Sequence, residues 1–329
     1  MDAIQIFQKL IGVRITPLIL QYEPYKDIFI THPYHHSLSS SFEEDFVNLM
    51  FDNIVFYAYE KEEIEKEYKR SKLSILRKVA RNAYERRVPK TERSTDGLLG
   101  ELTLDSFIKC FFKNIQMLYS RVKYLERYPK KDLPTKPTGH EVKGYDGLLF
   151  SVENGKKYIW VGQVKTGSWD YCLTGIKSDI SKSILKNYFS GSMIIMADIM
   201  RAASNISDEL QQIIDDLNDI CLEYPKDTEK LYTETCNYFI KNNITIRIPC
   251  LIIAEEEKYE DKDLLLEIIK TKCHKAFKEY AHNSSNLNIE VLLLIFPVRD
   301  LKKIRNNFLT LRINHDGNES TSSQSVISN

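Results

Sequence analysis

The sequence is poor in several features that would assign a chain of 329 residues to a specialised class. Its six cysteines stand apart, with no Cys-x-x-Cys pair, so they indicate neither a disulfide scaffold nor a clustered zinc site. No run of 18 apolar residues occurs, and acidic and amide residues interrupt the amino-terminal segment, so neither a membrane-spanning helix nor a signal peptide is predicted. We therefore expect a soluble cytoplasmic protein, without membrane contact, whose thiols are reduced.

An excess of charge is also missing, because 46 Lys and Arg residues balance 46 Asp and Glu residues. This balance excludes a globally basic nucleic-acid-binding protein, although it does not exclude a locally basic one. The sequence contains no GxxxxGK[ST] motif, so it has no P-loop for a nucleoside triphosphate. Any work driven by ATP would therefore belong to a partner.

The balanced charges are nevertheless separated along the chain. Residues 71–93 contain eight basic and two acidic residues, and residues 121–143 contain seven basic and three acidic ones. Residues 208–234 reverse the sign, with nine acidic and two basic residues. This separation predicts a surface that attracts anions, unless each run is only the solvated face of an amphipathic helix. The candidate nucleic-acid-binding residues are Arg86, Arg87, Lys130, Lys131 and Lys143.

The hydrophobic pattern predicts an α/β protein with a mixed central sheet flanked by helices. Residues 1–93 are predicted to form an α/β region of unknown role, with strands at 15–20 and 53–59 and one long basic helix at 62–88. A second domain is predicted over 94–311, followed by a disordered tail at 312–329. In this domain we expect strands at 142–152, 157–166, 244–254 and 287–296, and helices at 98–112, 172–190, 192–203, 206–221, 228–242, 262–281 and 300–309.

The most informative residues lie in the first two of these strands, which Glu153-Asn154-Gly155 joins as a predicted hairpin. Asp146 lies on one strand, and Gln163 and Lys165 lie on the other. Because strand side chains alternate, Gln163 and Lys165 point to the same face. A carboxylate, an amide oxygen and an ammonium group together are costly to bury unless a ligand or a metal uses them. Metal-assisted hydrolysis of a phosphodiester requires such a set.

The order of these residues resembles the PD-(D/E)xK nucleases, the restriction-endonuclease-like superfamily. Its motif is an Asp on one strand and (D/E)-x-K on the next, often with a Glu from the preceding helix, and Glu101 matches that Glu. The resemblance implies a restriction-endonuclease-like core with helical additions. It further implies that Glu101, Asp146 and the side-chain oxygen of Gln163 bind Mg²⁺ or Mn²⁺, with Lys165 as the catalytic cation.

A longer set of short motifs is similar, in order and spacing, to the HamA/AbpA family, the nuclease-like subunit of Hachiman-type bacterial antiphage systems. The resemblance covers about residues 95–310 and implies a DNA nuclease that works with a superfamily-2 helicase. The family usually has G-E-x-K where this chain has Gly162-Gln163-Val164-Lys165. The motifs are GEL at 100–102, KGYD at 143–146, IWVGQVK at 159–165, IPCL at 248–251 and FPV at 296–298.

Gln163 leaves three hypotheses open, because it removes one negative charge from the predicted site. The chain could be an active nuclease subunit, or a degenerate nuclease fold that binds DNA or the helicase without cutting. It could also be a structural subunit in which the polar residues form a buried hydrogen-bond network. Trp169 and Tyr171, which follow the second strand, are candidates for stacking on a base, or exposed aromatic residues beside a hairpin.

Overall fold

A computed structural model describes residues 1–21, 34–38, 43–59, 61–72, 74–88, 97–112, 115–117, 147–182, 207–225, 227–258, 261–277 and 287–313. The predicted helix at 192–203 lies outside these residues, as does the predicted tail from 314 onwards. Residues 312 and 313, which were predicted to belong to the tail, are helical instead. The boundary predicted between residues 93 and 94 also lies outside them and stays a prediction.

Four long strands, β4 to β7, form the centre of a mixed sheet, and three short strands extend it in the order β1-β2-β7-β6-β5-β4-β3. Strands β2, β7, β6 and β5 are parallel, whereas β1, β4 and β3 each pair antiparallel with their neighbours. The predicted α/β class with a mixed sheet is thus confirmed. The strands are β1 (Ile19–Gln21), β2 (Tyr34–Leu38), β3 (Ile115–Met117), β4 (Gly147–Glu153), β5 (Lys156–Gly167), β6 (Ile244–Glu255) and β7 (Asn288–Val298).

Helices cover both faces of this sheet. A π-helical turn (Gln8–Gly12) joins α1 to α2, and a 3₁₀ turn (Thr16–Leu18) leads from α2 into β1. The α-helices are α1 (Ala3–Phe7), α2 (Val13–Ile15), α3 (Glu43–Asp52), α4 (Ile54–Ala58), α5 (Lys61–Ser71), α6 (Leu76–Arg87), α7 (Gly97–Phe111), α8 (Trp169–Lys182), α9 (Asp208–Glu223), α10 (Thr228–Lys241), α11 (Lys262–Phe277) and α12 (Leu301–Ile313).

The predicted hairpin between β4 and β5 is confirmed. Its loop consists of Asn154 and Gly155, which have φ angles of 52° and 76°. Two consecutive residues with positive φ form a type I′ turn, whose twist matches that of the flanking strands, and Asn-Gly is the preferred pair. The turn fixes the register that pairs Gly147 with Gly162 at the other end of the hairpin.

Two hydrophobic cores lie on opposite faces of the sheet. The first core joins helices α1 to α7 and α12 to the even-numbered residues of β5 and β7, such as Trp160 and Phe296. The second core joins α8 to α11 to the odd-numbered residues of these strands, such as Val161 and Ile295. Residues on both sides of the predicted 93/94 boundary therefore share the first core.

The prediction of a strand at 53–59 is wrong, because this segment forms α4. Of the predicted strand at 15–20, only Ile19 and Leu20 lie in a strand. All five residues of α4 are buried, so this helix has no polar face from which its period could be recognised. Asn53, just before α4, donates hydrogen bonds to Leu102 O and to Ser106 Oγ of α7. Tertiary contacts thus determine the structure of this apolar run.

The prediction of one helix over 62–88 is also wrong, because the chain forms two helices, α5 and α6. Lys72 ends α5 in the left-handed conformation, with φ 56°, and its N–H donates to Tyr68 O at 2.7 Å. This geometry is typical of a helix terminus. After the break, Arg77 of α6 contacts Asp52 of α3 at 2.5 Å, which stabilises the new direction of the chain.

Arg247, near the amino-terminal end of β6, contacts residues of three other strands of the sheet, β4, β5 and β7. Its guanidinium nitrogens lie 2.6 Å from a carboxylate oxygen of Glu153 on β4 and 2.8 Å from one of Glu290 on β7. The guanidinium also stacks on two rings of β5, because its carbon lies 3.8 Å from the centre of the Tyr158 ring and 4.7 Å from that of Trp160. Arg247 is therefore a buried cation with both charged and aromatic partners.

Candidate functional site

Strand β5 places Gln163 and Lys165 on the same face of the sheet, as the alternation of strand side chains predicts. Gln163 pairs in register with Cys250, and Lys165 pairs with Ile252. Both partners belong to the second core, so this face of β5 is the one that α8 covers. Gln163 is only 4% exposed, which makes it a buried polar residue in a largely apolar strand.

The side chain of Lys165 extends along α8. Its methylene groups pass over Gly175, where an added Cβ would lie 3.0 Å from Lys165 Cε. Beyond this glycine, Lys165 Nζ lies 2.6 Å from Oδ2 of Asp179. The side chains of Lys165 and Asp179 are 25% and 28% exposed, so the ion pair lies at the boundary between the second core and solvent.

Glu101 lies on α7, whose backbone packs closely against β5. An added Cβ at Gly100 would lie 2.6 Å from Val164 Cγ1 and 3.3 Å from Thr166 Cγ2. Glu101 itself is 6% exposed, and its Oε2 accepts a hydrogen bond from the Tyr57 hydroxyl. Since Val164 and Thr166 point away from α8, the structure brings Gln163 and Lys165 to one face of β5 and the helix that carries Glu101 to the other.

Several other predicted site residues lie outside the described residues. Asp146 directly precedes Gly147, the first residue of β4, and is itself not described. Arg86 and Arg87 belong to the last turn of α6, but their side chains are not described. The proposed roles of all these residues remain predictions. The undescribed basic residues are Lys130, Lys131 and Lys143.

Sequence analysis missed Asp179, although a signal for it was available. Residues four apart on a helix lie on the same side, so Gly175 and Asp179 share one side of the helix that follows β5. A glycine on the buried side of a helix permits a close approach by a neighbouring side chain. Combined with a lysine near the end of the preceding strand, this pattern indicates where the lysine can meet a carboxylate.

A polar cleft of about 490 Å³ opens at the carboxyl ends of β5 and β6. Arg305 of α12 donates from Nη2 to the carbonyl oxygen of Thr166 at 3.3 Å and to its Oγ1 at 2.9 Å. Ligands commonly bind at the carboxyl ends of parallel strands. The cleft is lined by Gly167, Ser168, Trp169, Asp170, Glu255, Lys272, Leu301, Lys302 and Arg305.

The two aromatic residues proposed for base stacking differ in their surroundings. Trp169 is 5% exposed, its indole N–H donates to Glu256 at 3.0 Å, and Lys272 Nζ lies 5.6 Å from its ring. Tyr171 is 61% exposed, and its ring lies over Gly167. Trp169 therefore forms part of the protein interior, whereas the Tyr171 ring is accessible.

The thiol of Cys172, on the face of the sheet that carries this site, does not have the properties of a nucleophile. Burial raises the pKa of the Cys172 thiol to about 11, and the cations of Lys165 and Arg305 offset this increase only in part. The thiol is therefore protonated at neutral pH, and a thiolate is the reactive form. The chemistry that this region can support rests on its oxygen and nitrogen donors.

In the part of the chain that the structure describes, no three His, Cys, Asp or Glu side chains are grouped as a metal centre. The oxygen donors that the described part of the site provides are the amide of Gln163 and the carboxylate of Asp179. Such hard oxygen donors are the type that Mg²⁺ binds, usually with water and phosphate completing its coordination. The donor types thus fit a magnesium ion.

Comparison with known proteins identifies one family. The HamA family model matches residues 20–311, which is most of the chain. No match was found among curated proteins or among solved structures. No described helix is long and apolar enough to cross a membrane. The chain belongs to the HamA family, and this membership associates it with antiphage defence.

Proposed function

We propose that this protein is a metal-dependent DNA nuclease subunit of a bacterial antiphage system and acts with a superfamily-2 helicase. The observation that carries the proposal is the pair formed by buried Gln163 and partly exposed Lys165 on one face of β5. Moving an amide and an ammonium group out of water costs free energy, so a polar pair on this largely buried face supports a functional role. Hydrolysis of a phosphodiester provides one.

Each residue of the proposed site has a chemical role. Asp146 and the amide oxygen of Gln163 would hold the metal ion, whereas Glu101 is left out of the proposed site because its helix packs on the other face of β5. A bound Mg²⁺ supplies Lewis acidity and an activated water. The ammonium group of Lys165 stabilises the negative charge that develops on the phosphate, and it can orient the attacking water through a hydrogen bond. Asp179 holds this ammonium group against α8.

A degenerate nuclease fold that binds DNA or the helicase without cutting is the second candidate. It is favoured by Gln163, which offers the metal a neutral oxygen where the family usually has a carboxylate. The ion pair with Asp179 adds to this argument, because it partly neutralises the charge of Lys165. Both candidates use the same fold and differ in whether the phosphodiester bond breaks.

Plasmid degradation distinguishes the two candidates. The wild type, Gln163→Glu and Lys165→Ala are assayed with Mg²⁺ and with EDTA, each alone and with the helicase. We expect Lys165→Ala to abolish cutting, because removing a preorganised donor of this kind costs about 3 kcal/mol of transition-state stabilisation, or about 100-fold in rate. Gln163→Glu should cut at least as well as the wild type.

Lys156→Ala is the matched control, because Lys156 is an exposed lysine at the other end of β5. It should cut as the wild type does. If only Gln163→Glu cuts, the natural protein is a degenerate nuclease. Cutting by Lys165→Ala at the wild-type rate would refute the proposed site.

A further inference from the structure

Asp179 lies on α8, the helix that follows β5, and its carboxylate contacts Lys165 of that strand. Helix α8 begins just beyond the carboxyl end of β5 and turns back along the strand, so that Gly175 lies against Lys165. From Gly175 to Asp179 the helix advances by about 6 Å. The two-residue step from Lys165 back to Gln163 is similar, about 6.6 Å. These two similar steps, taken from the contact between Gly175 and Lys165, bring Asp179 towards the level of residue 163.

The charges of the site agree with this placement. With Gln at position 163, the described face of β5 carries a buried amide and the cation of Lys165, with no acid of its own. Asp179 adds the missing negative charge from the neighbouring helix. A carboxylate has two oxygens, and only Oδ2 is needed for the contact with Lys165, so Oδ1 can bind a cation at the same time.

The contact between Lys165 and Asp179 depends on a specific feature of α8. The lysine crosses the helix at Gly175, where an added Cβ would lie 3.0 Å from Lys165 Cε and the lysine side chain would have to shift. An ion pair at the protein surface usually contributes only about 0–1 kcal/mol, so stability alone gives little reason for such a close crossing. A requirement for a lysine and a carboxylate at one point beside Gln163 provides a better reason.

We propose that Asp179 supplies the carboxylate that position 163 lacks, and that a divalent cation binds between Asp179 and the amide oxygen of Gln163. This inference rests on the proposed function, because it completes the same metal site. In this assignment the acidic ligand of the site lies on α8, the helix that follows β5, instead of on β5 itself. Lys165 remains in contact with the Asp179 carboxylate, and its ammonium group interacts with the phosphate of the substrate rather than with the metal.

Calorimetric titration with Mn²⁺ tests the inference on the full chain without nucleic acid, so that the readout is binding rather than cutting. We expect Asp179→Asn to weaken Mn²⁺ binding by at least about tenfold, as loss of a group that supports a metal typically does. The double variant Gln163→Glu with Asp179→Asn should recover affinity to within about threefold of the wild type, because it returns the carboxylate to the strand.

Two further variants separate a metal ligand from a residue that only holds Lys165. Asp170→Asn removes an exposed carboxylate from the first turn of the same helix and should leave Mn²⁺ affinity unchanged. Lys165→Ala breaks the ion pair but keeps Asp179, so Mn²⁺ affinity should stay the same or rise, because a repelling cation is removed. Circular dichroism confirms that each variant is folded.

The inference is overturned if Asp179→Asn binds Mn²⁺ as the wild type does, if the wild type binds no Mn²⁺, or if Gln163→Glu fails to restore binding. Failure of the proposed function has a different signature. In that case Mn²⁺ binding depends on Asp179, but no variant cuts DNA under any condition with the helicase. Metal binding and cutting thus report separately on the inference and on the proposed function.

Discussion

Arg247 shows how a single residue can stabilise the centre of this sheet. Burial disfavours its charge, but the hydrogen bonds and charges of Glu153 and Glu290 outweigh that effect, and the pKa of Arg247 is raised. Its stacking on Tyr158 and Trp160 adds contacts that a lysine could not make. The guanidinium therefore stays charged and holds β4, β5 and β7 to β6.

Arg247→Met should destabilise the protein by about 2 kcal/mol. Removing one partner of a fully buried ion pair costs about 3–5 kcal/mol, and this value is reduced here because the two glutamates are partly exposed. Urea unfolding measures the change. Arg14→Met is the control, since Arg14 is exposed and lies 3.8 Å from Asp52, and it should cost under about 0.5 kcal/mol. Equal effects of the two variants would contradict this account.

At the scale of helices and strands, Gly100 sets the distance between α7 and β5. Gly100→Ala should cost about 1–3 kcal/mol, because the new Cβ would overlap with Val164 Cγ1. Adding Val164→Ala should recover part of this loss by removing that atom.

Gly175→Ala is the control, because its new Cβ meets only the flexible side chain of Lys165, so the stability of this variant should change little. Urea unfolding of the wild type, Gly100→Ala, Val164→Ala and the double variant forms a double-mutant cycle, with Gly175→Ala as the control. An unchanged stability of Gly100→Ala would show that α7 can shift away from β5.

The hairpin and the strands β6 and β7 could be predicted because their signals are local. Asn154-Gly155 specifies its turn, and long apolar runs specify central strands. The helix α4 could not be predicted, since a segment buried on all sides has no amphipathic period. The same limit applies to the site. The shared face of Gln163 and Lys165 follows from alternation along one strand, whereas the contact with Asp179 depends on how α8 packs against β5.

At the scale of the whole molecule, a cleft lies at the carboxyl edge of the sheet. Cationic side chains of α11 and α12 are among the residues that line it. Lys272, Lys302 and Arg305 line this cleft, and Lys165 lies two residues before its wall at Gly167. If DNA reaches Lys165, a phosphate next to the one that is cut can lie in the cleft. Under the proposed function, these three cations are candidate phosphate contacts that the basic runs of the sequence did not indicate.

Lys302→Glu should weaken DNA binding and lower the salt dependence of the binding constant. Each lost phosphate contact reduces the slope of log K against log salt by about 0.9 for duplex DNA. Fluorescence anisotropy at several salt concentrations measures both effects. Lys156→Glu makes the same charge change at the hairpin end of β5 and should have a smaller effect. If both variants behave alike, the cleft has no special part in binding DNA.

The glycine that Lys165 crosses gives a practical tool for sequence surveys. Gln163, Lys165, Gly175 and Asp179 form the spacing Q-x-K-x₉-G-x₃-D. If the carboxylate has moved to the helix, family members with Gln at the strand position should keep both the glycine and the aspartate, while members with Glu are free to vary there. Covariation of positions 163, 175 and 179 would therefore identify a group of family members in which the acidic residue lies on the helix instead of the strand. The net charge of the site would be the same in both groups.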